Sequence, residues 1–196
     1  MSTTNNIAKN TILIFCARGL NAAFGFLTII LVARYLGVEG YGNYVFVIAL
    51  ISFTVLLADF GNFQIITREL SSGRHTPQDI IGSVFILRTL ISIVLVVLIL
   101  LIVHLMHIDS SAKMAVYIVT IPQLIFSLNT IFVATFSAYN RFWFDAMMQI
   151  TSKVVELLLI AIVIIFNLWF KTLFVAIGIA NLLNGVLGTI IYLRNI

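Results

Sequence analysis

Residues 80–103 read IIGSVFILRTLISIVLVVLILLIV, an apolar run broken by one charge, Arg88. Its length falls within the ~17–25 residues that an α-helix needs to cross a bilayer. The run is continuous and does not alternate at period two, which excludes a membrane strand. Similar stretches lie at 11–33, 41–63, 114–137, 146–167 and 171–193. The chain is therefore expected to be all-α: a polytopic membrane bundle of about six transmembrane helices, with residues 1–196 forming a single lobe.

Composition supports this class. Hydrophobic residues make up 62% of the 196, and charged residues 9%. Mean hydropathy is +1.17. A soluble domain is about half apolar and about a quarter charged, so lipid must be the solvent for much of this surface. The net charge of +4 comes from 11 Lys and Arg scattered along the chain. No basic run exists of the kind that nucleic acid would need, and none is expected as a partner. The lone Cys16 allows no intramolecular disulfide and reads as a small core residue.

The connectors hold the breakers: Gly37 to Gly40, Ser71 to Pro77, His107 to Ser111, Ala138 to Arg141, and the short turn from Asn167 to Lys171. Thr76-Pro77 followed by Asp79 reads as a helix start, with a cap, a first-turn proline and an acid at the positive end of the dipole. The first apolar stretch lacks a convincing cleavage site and reads as a retained span. Counting from an inside start, Lys9, Arg68, Arg74, Arg141 and Arg194 fall on one side, and Arg34, Lys113 and Lys171 on the other. This bias predicts that both termini are cytosolic.

Charges within spans carry the functional information, since each costs ~2.5–3.5 kcal/mol at the helix centre on insertion scales. Arg18 lies about seven residues into the first span, roughly 10 Å deep. Arg88, Lys153 and Glu156 are expected at similar depth, in the inner half of the bilayer, and Asp59 approaches the same side. Lys153 and Glu156, three apart, share a helix face. Lys153 and Arg88 either snorkel to the headgroups or face the interior, whereas Arg18 and Glu156 are expected to face a bundle interior. Small and polar stripes accompany them: Arg18, Asn21, Ala22 and Gly25; Gln123, Ser127, Thr130 and Ala134 after Pro122; and Asn181, Asn184, Gly185 and Gly188. Such stripes are packing faces in the first place. Because the first contains a cation, together they suggest a polar, cationic interior. The candidate substrate or ion pathway is Arg18, Asn21, Asp59, Arg88, Lys153 and Glu156.

No phosphate loop, nucleophile elbow or paired Cys or His at ligand spacing appears, so no catalytic residue, metal or cofactor is expected. His104 and His107 read as interfacial, as do Phe142, Trp143, Phe144 and Trp169.

The order Ala33-Arg34-Tyr35-Leu36-Gly37, Gly40-Tyr41-Gly42, Asp59-Phe60-Gly61 and Arg68-Glu69 resembles the N-terminal region of the oligosaccharide flippases. These are also called polysaccharide biosynthesis or O-antigen transporters, within the multidrug/oligosaccharidyl-lipid/polysaccharide exporter superfamily. The resemblance is strongest over residues 1–90. It implies a transporter, not an enzyme, that moves undecaprenyl-diphosphate-linked oligosaccharide across the bacterial inner membrane for surface polysaccharide such as the O-antigen of lipopolysaccharide. It also implies alternating access between two six-helix lobes around a cationic cavity. Family members have about twelve to fourteen spans, and this chain stops at Asn195-Ile196 after the sixth. The expectation is an N-terminal lobe, either truncated or completed by a second lobe or a second copy.

The expected partners are thus a lipid-linked oligosaccharide and membrane lipids. Arg18, Arg88 and Lys153 would meet the diphosphate, and Glu156 and Asp59 would partly neutralise that layer or bind a coupling cation. Three bases against two acids favour an anionic substrate over a drug cation. Two other classes stay open: an inactive fragment or structural subunit, and a membrane enzyme of the same pathway, such as a polymerase or acyltransferase.

Overall fold

The computed structural model describes residues 2–59, 61–72, 77–139 and 141–195. Arg74 and the Thr76 cap lie outside these residues, as does the side chain of Lys9. Every regular element described is an α-helix: α1 (Ser2–Asp59), α2 (Asn62–Ser72), α3 (Pro77–Leu105), α4 (Ser110–Ala138), α5 (Phe142–Ile165) and α6 (Phe170–Asn195). Five stretches are long and apolar enough to cross a membrane, beginning with Ile14–Ser72 and ending with Phe170–Arg194. The chain is a multi-pass membrane protein.

The first stretch cannot be one straight crossing. Its 59 residues would run ~88 Å at 1.5 Å per residue, against a hydrocarbon core of ~30 Å. Gly37 resolves this, because it leaves the helix with φ 67° and ψ −172°, a conformation that a side chain would strain. Gly25, Thr28 and Ile29 before it line the same cleft as Tyr41, Tyr44, Val45, Ile48 and Ala49 after it. In a continuous rod Gly25 and Ala49 would be ~36 Å apart, so the two arms fold back on each other as a hairpin. These arms stand where the first two spans were expected.

The expected second span, 41–63, runs too far. Its helix ends at Asp59, Gly61 takes φ 79°, and a short helix begins at Asn62. Residues 62–72 are two-sided and not apolar throughout: Asn62, Ile66 and Leu70 are buried while Gln64, Arg68 and Ser71 are exposed. That spacing of four is the amphipathic period, and it makes α2 a surface helix rather than the tail of a span.

Apolar packing concentrates at two ends. Near Gly37, Val32, Tyr44 and Val47 join Val103, Val116, Ile160, Val163, Leu173 and Phe174, and the Tyr35 hydroxyl donates to the Leu168 carbonyl. Near Gly61, Ile66 and Leu70 of α2 pack on Ile80, Val84, Ile131 and Ala134. Asn167 turns the chain between α5 and α6 with φ 51°, which asparagine tolerates better than most residues. Helix α4 runs unbroken through Pro122, and a Cβ on Gly178 of α6 would come within 3.0 Å of the proline ring. The outer face of α3 is Ile86, Leu87, Leu90, Val94, Val97 and Leu101, all exposed. An apolar surface of this kind belongs against lipid. Cys16 is also exposed, on the first arm, and not in the core as its apolar setting suggested. Conversely Phe136 and Phe174 are fully buried and pack inside the bundle.

Candidate functional site: a polar seam along α5

Helix α5 carries Asp145, Gln149, Ser152, Lys153 and Glu156 at helical spacing, so one face of an otherwise apolar helix is polar. Gln149 Nε2 donates to Asp145 Oδ1 at 2.9 Å, and Lys153 Nζ donates to Glu156 Oε2 at 2.8 Å. Glu156 is 9% exposed, and a carboxylate so placed needs its lysine. The pair opens on a cleft of about 480 Å³, whose polar lining is completed by Thr28, Tyr41, Tyr44 and Asn181. The rings of Tyr41 and Tyr44 stack with centroids 6.1 Å apart, and Tyr44 lies close enough to Glu156 to feel its charge.

One turn along α5 a second cavity, of about 260 Å³, is lined by Asn21, Asn129, Thr130, Asp145, Gln149 and Asn184 among others. Arg18 is exposed, not enclosed in the bundle interior as expected, and its charge bears on Asp145 from the first arm. Behind both cavities α4 and α6 are joined by amides. Asn129 Nδ2 donates to Asn184 Oδ1 at 2.6 Å, and Asn181 Nδ2 to Gln123 Oε1 at 3.2 Å. Gly188 lets these helices close: a Cβ there would overlap Asn129 Oδ1 and stand 2.9 Å from Met148 Cε.

Asp59 and Arg88 lie elsewhere. Arg88 Nη1 donates to Asp59 Oδ1 at 2.8 Å, joining the end of α1 to α3 beside α2. Arg88 is fully buried, so it does not snorkel, and its Nε and Nη2 have no partner among the described residues.

A model of the polysaccharide biosynthesis protein family matches residues 7–196. The chain belongs to this family. No curated protein and no solved structure matches it. Membership agrees with the resemblance carried by residues 33–42 and 59–69, and it assigns the chain a role in polysaccharide biosynthesis or export.

In this family member the six residues singled out from sequence divide into three places. Lys153 and Glu156 share the first cleft, Asn21 lines the second cavity with Arg18 one turn before it on α1, and Asp59–Arg88 stand apart. They do not form one layer. Glu156 is fourteen residues from the start of α5 and shares its cleft with Tyr41 and Tyr44, which follow Gly37, whereas Asp59 ends the same arm beside Gly61. Nor is the interior cationic. Asp145, omitted from the expected set because the fifth span was started at 146, brings the in-span acids to three against three bases, namely Arg18, Arg88 and Lys153. Lys153 and Arg88 each hold a carboxylate. Sequence reasoning also missed Tyr41, Tyr44, Asn129 and Gln149. The spacing of four from Asp145 to Gln149 was the available signal; no local signal points to the tyrosines, which reach the cleft only because α1 turns at Gly37. Among the described residues, no three of His, Cys, Asp and Glu gather as a metal site would require.

Proposed function

We propose that the chain forms one wall of a transporter that moves a lipid-linked oligosaccharide, carried on undecaprenyl diphosphate, from the cytosolic to the outer leaflet of a bacterial inner membrane. Six crossings with both termini in the cytosol fit this reading, as the cation bias favours. The observation that carries it is the seam: tyrosines, amides and paired charges line two successive cavities along α5 inside a bundle whose outer face is apolar.

Sugars need this chemistry. Their hydroxyls both donate and accept, as amides and tyrosines do, and aromatic faces such as the Tyr41–Tyr44 stack suit the C–H faces of a pyranose. Within the seam Lys153 is held by Glu156, so a neutral glycan meets an ion pair there and not a bare charge. Exposed Arg18 supplies a planar guanidinium for the diphosphate, while the polyprenyl tail stays in lipid. Alternating access requires a second surface to rock against, supplied by a second lobe or a second copy.

The test is export in cells and flipping in vesicles of a fluorescent polyprenyl-diphosphate sugar. Arg18→Ala at matched protein level is expected to reduce both about tenfold, the loss of one charge-assisted contact. Unchanged export in Arg18→Ala and Lys153→Met alike would remove the seam from the transport path.

A further inference from the structure

A groove of about 370 Å³ runs between α3 and α4, lined by Val96, Leu100 and His104 on one side and by Tyr117, Thr120 and Ile121 on the other. The spacing of four sets the three α3 residues on one helix face, and Val96 to His104 spans ~12 Å of helix. Tyr117 and Ile121 are exposed, so the groove opens on the lipid-facing surface, and it shares no residue with the cavities along α5. One end is apolar and the other polar. At the polar end α3 stops at Leu105, and Lys113 Nζ donates to the His104 carbonyl at 3.2 Å. The ammonium is thereby fixed one turn from Tyr117. A helix C-terminus carries about half a negative charge against the full positive charge of lysine, and an ammonium has three protons to donate. Lys171 of α6 stands close by, with Nζ 3.1 Å from Met114 Sδ, and Asp109 is exposed on the connector. Two cations against one carboxylate leave these helix ends positive.

We propose that this groove binds one anionic phospholipid from the leaflet at this end of the bundle, the outer leaflet in the topology proposed above. Its phosphate accepts from Lys113, the His104 imidazole and the Tyr117 hydroxyl, and one acyl chain lies along Val96, Leu100 and Ile121. Charge complementarity selects the headgroup, since a lysine near the bilayer surface favours an anionic lipid about fivefold over a zwitterionic one. The apolar length of the groove selects an amphiphile, because a free inorganic anion would fill the polar end alone. Tyrosine suits the boundary between the two, with a ring for the chain and a hydroxyl for the headgroup. The site does not depend on whether the lobe moves glycan.

The experiment reads fluorescence quenching in the full chain, reconstituted in phosphatidylcholine vesicles with rising fractions of brominated phosphatidylglycerol. Trp143→Phe and Trp169→Phe clear the background. Tyr117→Trp then reports from the groove, its indole N–H donating in place of the phenol, and Val94→Trp reports from the exposed outer face of α3. Phosphatidylglycerol is expected to be preferred about fivefold at Tyr117→Trp and not at all at Val94→Trp. Lys113→Gln can still donate to the His104 carbonyl but carries no charge, so it should abolish the preference, and Lys113→Arg should keep it. Unchanged quenching at Val94→Trp in the Lys113→Gln chain shows that the bundle is intact. Equal preference at the two reporters would reduce the occupant to ordinary surrounding lipid and overturn the site. A preference that survives Lys113→Gln also overturns it. So does displacement of the brominated lipid by undecaprenyl phosphate but not by plain phosphatidylglycerol, which would give the groove to a polyprenyl carrier.

Discussion

The Asp59 carboxylate holds the Arg88 guanidinium at 2.8 Å where α1, α2 and α3 meet, and Arg88 is the largest of the fully buried side chains. Among the described residues, one bond to a carboxylate that is itself 29% exposed compensates this buried charge. Removing one partner of such a pair costs about 3–5 kcal/mol, whereas replacing both by apolar groups is often neutral. Asp59→Ala is therefore expected to destabilise the bundle by about 3 kcal/mol or more, and Asp59→Leu with Arg88→Leu by much less. Unfolding in mixed micelles checks this order. Equal stability of Asp59→Ala and wild type would show that the pair is not what holds Arg88.

Glycines of one stripe should behave differently from glycines of another. A Cβ at Gly188 collides with Asn129 and Met148, and one at Gly25 meets nothing. Gly188→Ala is expected to cost about 1–3 kcal/mol by overpacking. Gly25→Ala should be neutral or stabilise by up to about 1 kcal/mol, since alanine is the better helix former. Comparison of both variants in the same unfolding assay decides it, and a neutral Gly188→Ala would mean that α4 and α6 can part at no cost.

Within the Lys153–Glu156 pair, single and double changes should not add. Lys153→Met leaves the Glu156 carboxylate uncompensated in the cleft, and Glu156→Gln leaves the lysine without its anion. The double variant removes both charges together. Export by Lys153→Met is expected to fall further than export by the double variant, a coupling of about 0.5–3 kcal/mol between contacting residues. Additive losses would show that the two groups act independently on substrate.

Orientation is open to labelling. With Cys16 replaced, because it is exposed, cysteine at Val38, which is 95% exposed, should react with impermeant reagent from outside the cell. Cysteine at Ser71, exposed at the end of α2, should react only after permeabilisation. The reverse pattern would invert the proposed topology.

Hydropathy is a sum over neighbours in the chain, so the sequence by itself determined the all-α membrane class, the order of the apolar stretches and the positions of their breaks near Gly37 and Asn167, but not the break at Gly61, which lay inside the expected second span. It also marked Lys153 and Glu156 as one helix face, because three residues apart is a local relation. The small stripes on α4 and α6 were legible as packing faces for the same reason, and Gln123–Asn181 is a contact between them, while Asn184 takes Asn129, which lies outside the α4 stripe. Only the tertiary structure decided which charges meet. Arg88 takes Asp59 across 29 residues, and Tyr44 shares a cleft with Glu156 because α1 folds back at Gly37. Depth was misjudged from sequence since a four-residue error in the start of α5 moves Glu156 by ~6 Å along the helix. A charge in a span announces that it needs a partner, but the partner is chosen by helix register and rotation, and these depend on packing between faces that no single stretch of sequence contains.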